Sequence, residues 1–123
     1  MTQPVRVVVA NQPRLIRELV LETIMEHPEI EIVAEIQNED EIVQIVDGIH
    51  PDFLIMSLDE SGQRPALCDS LLRRNPEMKI LALAPGHNVS TLFWASHEIH
   101  SSSVEASETG ILNTLLRKGQ YVA

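Results

Sequence analysis

Three short apolar runs, Val5–Ala10, Phe53–Met56 and Ile80–Ala84, constrain this chain more than any other feature. None shows the regular polar alternation of a strand with one wet face, so each belongs in a sheet covered on both sides. All are far too short to cross a bilayer. The segments between them carry a different period. Leu15, Ile16, Leu19, Val20, Ile24 and Met25 recur at helical spacing, with Arg14, Arg17, Glu18, Glu22 and Glu26 on the other side and His27-Pro28 ending the pattern. Buried strands alternating with amphipathic helices predict a parallel sheet with crossover helices.

The remaining elements follow the same logic. Ile30, Ile32, Ala34 and Ile36 alternate with Glu31, Val33, Glu35 and Gln37, the pattern of an edge strand. Asn38 and Glu41 approach a capping box ahead of the stripe Ile42, Val43, Ile45, Val46 and Ile49. Pro65 opens a third helix with Leu67, Cys68, Leu71 and Leu72, which Asn75-Pro76 closes. After Pro85-Gly86, Val89–Ala95 reads as a short helix, Glu98–Ser101 as a polar last strand and Val104–Lys118 as the final helix. The expected class is α/β: a doubly wound, five-stranded parallel sheet in the flavodoxin-like order 2-1-3-4-5, with helices on both faces. Function in such sheets lies beyond the carboxyl ends of the central strands, here Asn11-Gln12, Ser57 and Ala84.

A chain of 123 residues forms a single core, expected over residues 1–119, with 120–123 as a tail or the start of a linker. Nine basic against eighteen acidic residues give a formal charge of −9, which repels phosphate backbones and argues against direct nucleic-acid binding by this segment. No membrane contact is expected, and no charged leader with an apolar core follows Met1. Cys68, the single cysteine, cannot form an internal disulfide, in keeping with a reducing, cytoplasmic location.

Val5–Ala10 followed by Leu15-Ile16-Arg17-Glu18, Pro51–Met56, and the stretch from Leu71 through Arg73-Arg74-Asn75-Pro76 to Leu81 together resemble the receiver domain of response regulators, especially the NarL-type branch. The resemblance covers roughly residues 5–119 and is weakest between 85 and 103. It implies a flavodoxin-like signal-transduction domain of a two-component phosphorelay. Leu116–Val122 looks like the end of such a receiver entering the linker to a DNA-binding output domain, which would make the chain the N-terminal part of a transcription regulator.

The positions at which that family does its chemistry are changed. Asn11 and Gln12 stand where it has an acidic pair, Ser57 where it has the phosphorylated aspartate, Ala84 for the hydroxyl residue ending the fourth strand, and Ser102 for the lysine near the fifth. Amides and a hydroxyl offer little to offset the dehydration of Mg²⁺, and Ser57 cannot form an acyl phosphate. Asp59 lies on the same side of an extended chain as Ser57 and is the alternative acceptor, its backbone carbonyl taking the family's metal-ligand place. The expectation is a degenerate receiver, or pseudo-receiver, that is not an enzyme and needs no cofactor or metal. The alternatives are phosphorylation at Asp59 or Ser57, or sensing of a small ligand or metal in the vacant crevice.

Output in receivers commonly uses the face formed by the fourth helix, fifth strand and fifth helix. The corresponding segment here is shortened by about one helical turn and carries Leu92, Phe93 and Trp94. With Ile99 and Leu116, these residues are the expected contact surface for a protein partner or a homodimer. His87, His97 and His100 lack a metal-ligand spacing, and Ser101-Ser102-Ser103 reads as a loop or cap.

Overall fold

The computed structural model describes residues 3–11, 14–58, 65–84, 89–95, 99–104 and 107–116. Strand β1 (Val5–Ala10) lies between β2 (Ile30–Glu35) and β3 (Phe53–Ser57), and β4 (Lys79–Ala84) follows β3. These strands are parallel throughout, as βαβ crossovers require. The helices are α1 (Arg14–Met25), α2 (Ile42–Ile49), α3 (Ala66–Arg74) and α4 (Glu108–Leu116), with one 3₁₀ turn at Glu39–Glu41.

Because successive side chains of a strand point to opposite faces, the apolar runs build two cores at once. Val7, Val9, Phe53, Ile55, Leu81 and Leu83 pack with Val20 and Ile24 of α1 and Ile111 and Leu115 of α4. Val8, Ala10, Leu54, Met56, Ile80 and Ala82 pack with Ile42 and Val46 of α2 and Cys68, Leu71 and Leu72 of α3. Burying each large side chain contributes about 1.5–3 kcal/mol, which is why the unalternating runs occupy the middle of the sheet. β2 is the expected edge strand, with Glu31 and Glu35 exposed.

Arg6 is the one charge within β1, and the fold accommodates it at the end opposite the crevice. Its Nη1 donates to the carbonyl oxygens of Ile49 (3.1 Å) and His50 (3.2 Å), while its backbone N–H donates to Asp52 Oδ2 at 2.9 Å. A guanidinium is thus placed at the negative end of α2, whose cap residue His50 is left-handed at φ 53°.

The α/β class, the mostly parallel sheet and the order 2-1-3-4 match the expectation, but the remainder of the chain corrects it. Val89–Ala95 is strand β5 and not a helix, and Ile99–Val104 is β6; both pairings are antiparallel, so the sheet has six strands in the order β2-β1-β3-β4-β5-β6. Ala84 pairs with Val89 and Ala95 with Ile99. Such short separations suit hairpins, whereas a parallel crossover needs about a dozen residues or more. The spacing of Val89, Leu92 and Phe93 imitates a helix, but Val, Thr, Phe and Trp together favour a strand. Phe93 therefore packs into the α2–α3 core and Leu92 into the α1–α4 core. The final helix begins at Glu108 and not at Val104, its Gly110 N–H donating to the Ser107 hydroxyl at 3.0 Å.

Phe93 distinguishes the two arrangements energetically. Phe93→Ala is expected to cost about 3–5 kcal/mol in urea unfolding, the price of emptying a core site, whereas the same change on an exposed helical face would cost well under 1 kcal/mol.

Candidate functional site

The parallel strands bring Asn11, Ser57 and Ala84 to one end of the sheet, at the carboxyl ends of β1, β3 and β4. Asn11 is fully buried, and its Nδ2 donates to Ser57 Oγ at 3.4 Å. Its Oδ1 is buried with no hydrogen-bond partner among the described residues. Ser57 is half-buried at the last position of β3. Ala84 is buried and packs with the α2–α3 core. Gln12 and Asp59 lie outside the described residues.

A residue that sequence reasoning placed on the polar side of α1 belongs to this site. Arg17 is only 6% exposed, and its Nη1 donates to the backbone oxygen of Asn11 at 3.4 Å. No carboxylate among the described residues pairs with its guanidinium. The signal was present, because Arg17 precedes Val20 by three and Ile24 by seven residues, the spacing of the buried stripe. Charge had outweighed position in the reading of that helix.

Ser102 does not join the site. It is exposed on β6 opposite Leu92, which itself pairs with Leu81 in the middle of β4. Two strand spacings, about 10 Å, separate β6 from β4, so the proposed match to the family's lysine is not supported by position. Strand β5 lies between it and β4.

The expected contact surface is redistributed for the same reason. Leu92 and Phe93 are core residues, Ile99 is half-buried, and Trp94 is half-buried with its ring stacked on His100 at 5.4 Å. With Val89–Ala95 in the sheet, a helix–strand–helix face containing these residues is not formed. Leu116 does remain exposed, at 43%. Among the described residues, the other large exposed apolar side chains are Leu19 and Met25 of α1, at 51% and 70%. Between α1 and α4 runs a cavity of about 950 Å³, with Ile16, Leu19, Ile111 and Leu112 among its walls and Leu83, Ala84 and Ser90 also lining it.

The described polar residues at the strand ends, Asn11 and Ser57, do not by themselves fit Mg²⁺. That ion selects charged oxygen ligands, and here an amide and a hydroxyl are accompanied by a buried guanidinium of the same sign as the metal. A receiver-like transfer of a phosphoryl group to Ser57 finds no carboxylate nucleophile in that side chain.

No protein-family model matches the chain, and no curated protein matches it in sequence. Among solved structures, it is similar to the signal receiver domain of a response regulator assigned as NarL in Mycobacterium tuberculosis, with a TM-score of 0.57, 20% identity and 68% of each chain covered. The fold is that of a receiver domain, modified by the antiparallel strands at one edge. No described helix is long and apolar enough to cross a membrane.

Ala84 is buried at the end of β4 and leaves little room for a larger side chain. Ala84→Thr, which places a hydroxyl at the end of β4, is expected to overpack the site and cost about 1–3 kcal/mol, read as a lower urea midpoint at unchanged m-value.

Proposed function

We propose that this chain is a signal-transduction module of the NarL type whose output does not depend on aspartyl phosphorylation. The observation that carries this reading is the set of residues at the carboxyl ends of the central strands: a receiver fold presenting Asn11, Ser57 and Ala84, with Arg17 behind them. A phosphorylation switch is a two-state equilibrium biased by new contacts to the phosphoryl group. Ala84 offers no hydroxyl to make such a contact, and Ser102 lies in the middle of the edge strand β6, away from the strand ends. The conformation is then held by packing, and the domain works in the cytoplasm as a fixed surface within a transcription regulator.

Incubation with acetyl phosphate or phosphoramidate and Mg²⁺ should leave the intact mass unchanged. A stoichiometric +80 Da adduct would refute the reading, and its acid lability would tell an acyl phosphate from a phosphoserine.

The contact proposed is with a second copy of the chain, two-fold association being the commonest mode of assembly. The surface is the exposed apolar part of α1 and α4: Leu19 and Met25, which line the cavity between the helices, and Leu116 at the end of α4, one turn beyond the cavity-lining Leu112. With a charge of −9 on each copy, association should strengthen as salt rises from about 0.01 to 0.15 M, where the Debye length falls from roughly 30 to 8 Å. Light scattering should show a dimer that Leu19→Glu and Leu116→Glu dissociate while Trp94→Ala does not. A monomer at high concentration, or a dimer indifferent to both charged variants, excludes this surface.

A further inference from the structure

We propose that the cavity between α1 and α4 is a binding site for a small organic cation with an apolar body. The walls supply the apolar half of the recognition. Ile16 and Leu19 of α1, Ile111 and Leu112 of α4 and Leu83 of β4 line a space of about 950 Å³. Sites that enclose a small molecule run from about 300 to 1,000 Å³. Leu19 is 51% exposed, so part of the wall still meets water, and covering it is favourable in proportion to the area removed from solvent.

The charged side chains around this space have one sign, which is a second, independent observation. Glu22 and Glu26 of α1 and Glu108 of α4 line the cavity and are exposed at its rim, and among the described residues no lysine or arginine lines it. None of the three carboxylates forms an ion pair with a described residue. Glu22 and Glu26 stand about one turn apart on the same side of α1, and Glu108 belongs to the first turn of α4, so negative charge flanks the apolar walls from both helices. The lining is unsatisfied at the floor as well. Ser90, 2% exposed and on the same face of β5 as Leu92, has a hydroxyl with no hydrogen-bond partner among the described residues.

Apolar walls and acidic rim together select the ligand class. A carboxylic amphiphile meets three like charges on a chain of net charge −9. A neutral apolar molecule fills the walls but leaves the carboxylates unpaired. A metal ion gains nothing from leucine and isoleucine, and no group of three His, Cys, Asp or Glu among the described residues could hold one. An ammonium group on an apolar body answers both demands, burying its carbon chain against Leu19 and Leu112 while its head stays with the glutamates. The inference goes beyond the signalling and self-association readings and rests on neither, since it concerns a cavity within one chain.

NMR titration of the full chain tests it, with the methyl groups of Leu19, Ile111 and Leu112 as reporters and hexylammonium, hexanol, hexanoate and ammonium as probes at matched ionic strength. Hexylammonium should shift these methyls saturably, with a Kd on the order of 1 mM from burial of its carbon chain. Hexanol and hexanoate should bind about tenfold more weakly or less, and ammonium should leave the methyls unmoved. The triple variant Glu22→Gln, Glu26→Gln, Glu108→Gln changes only exposed side chains and should bind hexylammonium about tenfold more weakly, close to hexanol. The control Glu31→Gln, Glu35→Gln, on the far edge strand β2, should bind it as the wild type does. No saturable shift with hexylammonium, equal affinity for hexylammonium and hexanol, or a triple variant that binds as tightly as the wild type overturns the proposal. If a second copy fills the cavity instead, the methyl shifts follow protein concentration and not hexylammonium, which also overturns it. The mass and light-scattering tests of the signalling reading are read separately, so either can fail without the other.

Discussion

Val9, Ile55 and Leu81 stand in register across β1, β3 and β4, each buried completely. Their neighbours on the opposite face, Val8, Leu54 and Ile80, are buried as fully. A sheet that excludes water from both faces needs cover on both, and parallel strands need connections long enough to supply it, so helices above and below follow from these few side chains. The crossovers carry each connection away from the carboxyl end of its strand. That end is left as the place where Asn11, Ser57 and Ala84 meet, and the position of the site is therefore a consequence of the core.

The part of the fold that was legible in sequence is the part in which one physical demand dominates. Val5–Ala10, Phe53–Ser57 and Lys79–Ala84 have little alternative to the centre of a parallel sheet, and the alternation of Ile30–Glu35 marks an edge. Val89–Ala95 was ambiguous because its apolar spacing suits a helix while its β-branched and aromatic residues suit a strand. Tertiary context settles it: Phe93 and Leu92 fill opposite cores only if they alternate across a sheet. The site was half legible. Asn11, Ser57 and Ala84 follow from the strand ends, while Ser102 was misplaced with the register of the last strands, and Arg17 was overlooked because a charged residue on a buried stripe is the exception to the rule used to read helices.

The hairpin strands alter what the domain can present. A helix after β4 would offer a convex, rotatable surface; β5 and β6 instead extend the sheet and fix Leu92 and Phe93 in the core by backbone hydrogen bonds and packing together. Among the described residues, the large apolar side chains still open to solvent are Leu19, Met25 and Leu116. Those residues sit on the two helices that cover the same face of the sheet, so the surface available for contact is supported by the same core that places the strand ends.

Helix α1 has inner and outer functions that meet in one rigid element. Its inward side contributes Val20 and Ile24 to the core and Arg17 to the strand-end site; its outward side contributes Leu19 and Met25 to the wall of the cavity. Asn11, at the end of β1, carries no charge of its own to set against the Arg17 guanidinium. Arg17 ties the first turns of α1 to the end of β1 through the Asn11 backbone oxygen, on the same helix that carries Leu19. Any influence passed through α1 to a protein contact is limited by the difference in α1 placement between two states, because an equilibrium shifts by no more than the differential affinity of what binds.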